Sequence, residues 1–278
     1  MHTTVFLEEA VDALSVSKNK RYIDATYGEG GHYQQIVEHG GIVLGIDRDE
    51  NQVEKGKKRN HTVLKGAFAD IADIARKALW MPVAGVLFDL GLSMEQLAKS
   101  EKGFSYKKSD EILDMRLEKK GMTAAHYLAG ASTDELQNMF ERYSEDPISE
   151  DLAQTIVKIR KQRPIQRVGD LTNVIDVILE KQQRSDNEKV YARIFQALRI
   201  VVNDELAQLE KGLEGAIEIV ERNGSIVVIS FHSVEDRLVK QFANKRKGTM
   251  SMQVMNVAKK RPLRSFERSA TLRIITKL

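Results

Sequence analysis

Three acids each close a short apolar run: Asp24 after Arg21-Tyr22-Ile23, Asp47 after Ile42-Val43-Leu44-Gly45-Ile46, and Asp89 after Val83 to Phe88. A glycine-bearing turn, Ala25-Thr26-Tyr27-Gly28-Glu29-Gly30-Gly31-His32, follows Asp24. Without a Cβ, its glycines let a ligand approach the backbone. The carboxylate of Asp24 would repel a pyrophosphate and suits a ligand carrying an amino group and a sulfonium. The spacing Gly28-x-Gly30-Gly31 also lacks the third glycine of a dinucleotide fingerprint. Asp47 stands about twenty residues further on, where an acid grips ribose hydroxyls in open α/β sheets. Together these features imply a nucleoside; the plainer alternative is a turn shaped only for its own geometry, with Asp47 as a helix cap.

The elements that must position these residues alternate. Strands are expected at 21–25, 42–47, 61–64 and 83–88, separated by helices at 32–39, 49–58 and 70–79. Such alternation predicts βαβ units and a mostly parallel sheet. From about Ala98 to Leu198 only helical patterns appear. One opens at Ser132-Thr133-Asp134-Glu135, where Ser132 and Glu135 fit a capping box. Others run over 149–161 and 170–180. Sheet character resumes after a long helix ending near Val220, with Glu221-Arg222-Asn223-Gly224 as its stop and Ser225 to Phe231 as a buried strand. A helix over 234–243 follows, and Ala270 to Thr276 suggests a closing antiparallel strand. The organisation expected is therefore 1–97 and 199–278 in an α/β domain, with 98–198 a helical insertion serving substrate recognition.

Composition narrows the classes. The 278 residues are 42% hydrophobic and contain no cysteine, which excludes disulfides and Cys-ligated zinc or iron–sulfur sites. His2, His39, His61 and His126 share no short spacing, so no metal site is expected. No stretch approaches the roughly 20 apolar residues of a membrane span, and Met1 to Glu9 lacks the basic start of a secretory signal; a cytoplasmic location is expected. From Lys240 to Leu278 there are eleven Lys or Arg against one acid, Glu267, while the first 239 residues hold 32 basic against 39 acidic residues. A basic end on an acidic body points to a polyanion partner, with a solubilising tail as the alternative. Lys158, Arg160, Lys161, Arg163 and Arg167 form a second basic group, for which a solvated helix face is the alternative.

In order along the chain, the motifs resemble those of the bacterial ribosomal RNA small subunit methyltransferase H family, also called MraW. The matching segments are His2-Thr3-Thr4-Val5, Asp24-x-Thr26-x-Gly28-x-Gly30-Gly31-His32, Gly45-Ile46-Asp47-Arg48-Asp49, Asp89-Leu90-Gly91 with Ser93 and Gln96, and Gly103-Phe104-Ser105. They continue through Leu113-Asp114-Met115-Arg116, Phe195 to Ile200 with Asn203 to Leu206, Ile229 to Arg237, and Arg268-Ser269-Ala270-x-Leu272-Arg273. The resemblance implies a Rossmann-like class I methyltransferase fold: a mostly parallel seven-stranded sheet with an inserted all-helical domain. It implies S-adenosyl-L-methionine as methyl donor, small-subunit ribosomal RNA as partner, and the N4 amine of a cytidine in the decoding centre as target. Oligomeric state is left open, a homodimer included.

By motif position, cofactor contacts fall on Asp24, Gly28, Gly30, Gly31, His32, Asp47, Phe68, Asp89 and Gln96. An exocyclic amine is a poor nucleophile because its lone pair is delocalised into the ring, and an acceptor at its N–H would restore electron density. Asp89 or Ser93 can supply that acceptor, although Asp89 is read first as a cofactor contact; His232 is the third candidate for chemistry. Contacts to RNA are expected from Asp114, Arg116, Arg199, Ser233, Arg237, Lys260, Arg261, Arg264 and Arg268. Read structurally instead, Ser233 caps the following helix, and Asp114 with Arg116 forms a buried ion pair.

The chain departs from the family at Tyr143-Ser144-Glu145-Asp146-Pro147, where a glycine and further basic residues are usual; Pro147 and the acids Glu150 and Asp151 stand where basic residues are common. It also lacks the usual Gly-Pro in 107–112 and is short between Lys247 and Arg268. These departures motivate a rival, a ribosome-assembly factor of the same fold with weakened catalysis. An amino-methyltransferase acting on DNA would carry two prolines and an aromatic after Asp89, which Leu90-Gly91-Leu92 lacks.

Overall fold

A computed structural model describes residues 4–91, 100–118, 120–264 and 267–278. The chain divides into two compact units, Met1–Gly91 with Leu206–Leu278, and Leu92–Glu205.

The first unit begins with helix α1 (Leu7–Leu14) and then alternates: β1 (Arg21–Asp24), α2 (Gly31–Glu38), β2 (Ile42–Asp47), α3 (Glu50–Lys58), β3 (Val63–Lys65), a 3-10 turn at Phe68–Asp70, α4 (Ile71–Lys77) and β4 (Val83–Asp89). It resumes with α10 (Glu205–Ile219), β5 (Val220–Ser230), α11 (Ser233–Asn244), β6 (Met250–Met255) and β7 (Thr271–Lys277). The seven strands lie in the order β3-β2-β1-β4-β5-β7-β6. All neighbours are parallel except β7, which runs antiparallel to both β5 and β6. The fold is that of a class I methyltransferase. Beyond β1 the chain steps outward to β3, then returns to β4 on the other side, so the topological switch falls between β1 and β4. Ligands of open α/β sheets bind at that crevice.

Successive strand residues face opposite layers, as a period of two demands. Tyr22, Val43, Leu87 and Val227 pack with residues of α1, α2 and α3. Their neighbours Ile23, Leu44, Phe88 and Val228 pack with α4, α10 and α11. Burial on both faces explains why the strands read as unbroken apolar runs.

Two elements escape the sequence pattern. Helix α1 is short, and β6 (Met-Ser-Met-Gln-Val-Met) alternates too weakly to stand out from its basic flanks. The expected stop at 221–224 instead lies inside β5, whose pairing with β4 shifts register between Val83↔Val220 and Gly85↔Ser225. Asn223 adopts a left-handed backbone there (φ 65°), so turn-forming residues produce a bulged strand start rather than a loop.

The second unit is helical among its described residues: α5 (Ala124–Gly130), α6 (Thr133–Tyr143), α7 (Ser149–Ile159), α8 (Val168–Lys181) and α9 (Asn187–Val202). Leu128, Phe140, Ile156, Leu171, Ile194 and Leu198 meet in its core. Ser132 and Glu135 form the expected capping box. The acids of the divergent stretch have structural work. Buried Asp146 accepts from Arg184 at 2.8 Å and faces Arg193 at 3.4 Å, while Glu150 and Asp151 sit in the first turn of α7, where the helix dipole favours them. In the basic group 158–167, Arg160 donates to the carbonyls of Leu128 and Ala131, closing α5, and Arg167 donates to Asp110 O. These two guanidiniums serve local packing.

Candidate active site

The carboxyl ends of the parallel strands lie along one edge: Asp24 pairs in register with Gly45 and Leu87, Asp47 with Lys65, and Asp89 with Ile229. Three acids from three strands thus line the crevice at the switch point.

The turn after β1 is held from several sides. The Tyr27 N–H donates to Ile46 O at 2.9 Å, and the Asp89 N–H donates to Thr26 Oγ1 at 2.7 Å, tying the turn to the ends of β2 and β4. The Tyr27 ring fills a slot that exists only because glycines flank it: a Cβ on Gly45 or Gly56 would come within 2.8 or 3.0 Å of its atoms. Its hydroxyl is 2.9 Å from His61 Nδ1, and His61 stacks on Tyr33. Gly30 lies over the same ring with φ 78°, and a Cβ there would fall 2.6 Å from the Tyr27 hydroxyl. A side chain at position 30 is therefore excluded both by conformation and by space.

Asp47 grips this turn. Its Oδ2 accepts from the Gly28 N–H and its Oδ1 from the Asp49 N–H, each at 2.8 Å. Burial raises its pKa, against the lowering effect of those two amides. Asp49 takes over the cap of α3, accepting from the Asn51 N–H at 2.9 Å.

Asp24 is fully buried. Its Oδ1 accepts from Thr26 N–H at 3.3 Å, and among the described residues its Oδ2 has no partner within hydrogen-bond geometry, although the Tyr33 amide lies near the carboxylate. Burial, helped by Asp47, pushes its pKa up to about 7, although the amides of Thr26 and Tyr33 oppose the shift. Asp89 is similar: its Oδ1 is shielded from solvent without a partner among the described residues, and burial, Asp24 and Glu235 together hold its pKa well above the usual carboxylate range.

His32 is buried, and burial depresses its pKa to about 4, so it is neutral. Nε2 lies 3.1 Å from Val5 O, which can only accept, so the proton resides on Nε2. Nδ1 therefore turns a lone pair toward Asp89 Oδ2 at 3.7 Å. In the ligand-free protein a carboxyl proton can sit between these two atoms, as the raised Asp89 pKa indicates; beside two carboxylate oxygens without donors among the described residues, a cation or an N–H-bearing ligand takes its place. An ammonium and a sulfonium meet that description. Phe68 stands half-buried at the end of β3, edge-on to Phe88 at 5.8 Å with the Arg48 guanidinium 5.9 Å from its centroid; an adenine ring could share this surface.

Across β5, His232 rather than Ser233 is the cap of α11: its Nδ1 accepts from the Glu235 N–H at 3.3 Å, and Glu235 Oε2 accepts from the Phe231 N–H at 3.0 Å. The sequence alone misses Glu235, a buried carboxylate that reads as an ordinary first-turn acid. Asp236 is claimed by Arg273 in a two-pronged pair at 2.6 and 2.8 Å. Ser233 opens α11, and Arg237 lies on its first turns. Ser93 and Gln96 lie outside the described residues.

The expected RNA contacts fall in three settings. Lys260, Arg264 and Arg268 are exposed on the basic C-terminal segment. Arg261 is not available there, because its guanidinium is saturated. Nε and Nη2 donate to Glu9, Nη1 and Nη2 to buried Glu267, and Nη1 to Pro262 O, which uses all five N–H groups. In the helical unit Asp114 and Arg116 form a forked pair at 2.7 and 2.9 Å, partly exposed rather than buried, and Arg116 draws the Asp114 pKa down. Arg199 is forked onto Glu205 at 2.8 and 3.0 Å.

Several known proteins are similar to this chain. The ribosomal RNA small subunit methyltransferase H of Dictyoglomus thermophilum is 37% identical, aligned over 99% of this chain and 96% of its own. The protein of that name from Shewanella denitrificans is 38% identical over 87% of this chain and 79% of its own. Among solved structures, a putative methyltransferase from Streptococcus mutans in complex with SAH aligns over both chains in full at 14% identity, with a TM-score of 0.47. The model of the MraW methylase family matches residues 1–278. From its glycine turn to its closing antiparallel strand, the chain belongs to the MraW methylase family.

Proposed function

We propose that this protein methylates the N4 amine of a cytidine in the decoding centre of small-subunit ribosomal RNA, with S-adenosylmethionine as donor. One observation carries the reading: Asp24 Oδ2 and Asp89 Oδ1 are shielded, carry no hydrogen bond from any described residue, and flank the glycine turn at the switch point. A ligand with cationic groups and a nucleoside satisfies both oxygens. When bound, S-adenosylmethionine supplies a methyl group made electrophilic by its sulfonium.

The chain's own residues supply position and electrostatics. Asp24 receives an ammonium, the turn from Gly28 to Gly31 accommodates the ligand backbone-close, and Asp47 turns a second lone pair toward a ribose. Asp89, at the end of β4, accepts from the N–H of the reacting amine and keeps its lone pair directed at the methyl carbon. Alignment of this kind can account for a large part of a methyl-transfer barrier, about 7 kcal/mol or more. The basic stretch with Lys260, Arg264 and Arg268 engages phosphates, and the relatives' printed name supports ribosomal RNA as the polyanion. No described helix is long and apolar enough to cross a membrane.

The test is mass mapping of small-subunit RNA nucleosides from cells with and without this protein, joined to tritium transfer from labelled S-adenosylmethionine onto subunits lacking the modification. The expected result is one N4-methylcytidine gained. Binding of RNA without any methyl transfer would favour an assembly factor instead.

A further inference from the structure

The His232 side chain carries a ring proton that no described group accepts in good geometry. A backbone N–H only donates, so the bond from the Glu235 N–H fixes Nδ1 as the acceptor and places the ring proton on Nε2. Nε2 lies 3.0 Å from Glu235 Oε1 but outside hydrogen-bond alignment, and no other described group accepts from it. The side chain is only 10% exposed. Burying an unpaired donor costs stability, so such a group calls for an explanation.

Its place in the fold supplies one. Asp89 and Ile229 are register partners on adjacent parallel strands, and the Leu90 N–H donates to Ile229 O at 2.9 Å. His232 follows three residues after Ile229, so the two strand exits carry a shielded acceptor, Asp89 Oδ1, and a shielded donor, His232 Nε2–H. Glu235, the partner of His232, is close enough to raise the Asp89 pKa. An acceptor at one strand exit and a donor at the next match the amine edge of cytosine, which presents an N–H and, next to it, the lone pair of ring N3. Uracil and guanine present the opposite order on that edge.

We propose that His232 is a specificity-determining residue: its Nε2–H, held in one tautomer by Glu235, donates to the ring nitrogen beside the reacting amine while Asp89 accepts from the amine itself. This rests on the reading of the chain as a cytidine amino-methyltransferase. Glu235 is a positioning residue: its N–H fixes the tautomer of the imidazole and its carboxylate faces Nε2.

Replacing His232 by two different residues separates this role from helix capping. Ser is a preferred N-cap but is too short to reach as His does; Gln retains an N–H donor but caps poorly. Single-turnover methyl transfer to subunits lacking the modification, S-adenosylmethionine affinity by calorimetry, and Tm are measured for the full chain. The His232→Ser variant should keep Tm and bind S-adenosylmethionine within about twofold of the parent, yet lose about 100-fold in kcat/KM, the scale of one buried hydrogen bond. His232→Gln should recover to within about tenfold of the parent despite a lower Tm. On subunits rebuilt with 3-deazacytidine at the target, which lacks the ring acceptor, the parent should lose a similar factor and His232→Ser no further, because both changes remove one bond. A Ser variant as active as the parent, or losses that multiply on the deaza substrate, would overturn the proposal. A parent enzyme that transfers methyl to no cytidine would overturn the underlying reading instead, and the unmutated control reports that directly.

Discussion

The Gly28 N–H donates to Asp47 Oδ2 at 2.8 Å, so the acid ending the second strand anchors the turn that leaves the first. With the other oxygen of Asp47 taken by the Asp49 N–H, both faces of the carboxylate meet amides. In Asp47→Asn, an NH2 group must face one of these donors. We expect a loss of about 1–3 kcal/mol in stability, as for an unsatisfied buried amide, and at least a tenfold weaker S-adenosylmethionine Kd. Urea unfolding and calorimetry measure the two effects; unchanged cofactor affinity would reduce Asp47 to a turn brace.

The raised pKa of Asp24, about 7, ties cofactor binding to pH. A cationic ligand binds the ionised form, so protonation competes with it. Affinity should fall about tenfold per pH unit below 7 and level off above it. In the ligand-free protein the sign is opposite for stability. A carboxyl with a raised folded pKa stabilises most below its unfolded value near 3.8, and that contribution is lost as pH rises through about 7. The thermal shift produced by S-adenosylmethionine should therefore grow from about pH 6 to about pH 8, roughly one unit either side of the Asp24 pKa. Asp24→Asn should flatten both profiles.

Arg261 joins two carboxylates that are almost fully buried, Glu9 and Glu267. Its removal strands both, and Arg261→Ala should cost about 3 kcal/mol or more in chemical denaturation. Glu267, held down to about pKa 2 chiefly by Arg261, contributes stability that is present above about pH 4.5 and lost as pH falls toward 2. Arg268→Ala, at an exposed position, should change stability by less than about 0.5 kcal/mol.

Exposed Lys260, Arg264 and Arg268 should act on RNA in the converse way. Each alanine substitution should weaken subunit binding at low salt and reduce the slope of log K against log salt by about 0.7–0.9 if its side chain neutralises one phosphate. Filter binding across a salt series checks this; parallel lines for parent and triple variant would remove the segment from the RNA surface.

The fold was legible where the physics is local. Apolar runs ending in Asp24, Asp47 and Asp89 gave strand, boundary and ligand edge together, because strands buried on both faces show no polar alternation. Roles set by distant partners were not legible. Thr26 serves an amide 63 positions away, and Arg261 reaches Glu9 across 252. Arg261 counted as one more cation in a basic tail until its partners were known. Glu235 passed for a first-turn acid because nothing in its neighbourhood shows that its carboxylate folds back on Phe231 and His232.

Thr4, Val5 and Phe6, just ahead of α1, are tied to the turn and the buried groups beside the cofactor crevice. The Val5 carbonyl decides which nitrogen of His32 is protonated, and the Phe6 amide reaches Glu267 at 3.4 Å. Thr4 also packs where any side chain on Gly31 would stand. Displacing the Val5 carbonyl would thus free the tautomer of the imidazole that faces Asp89, a backbone effect that no change of side chain at position 5 reproduces.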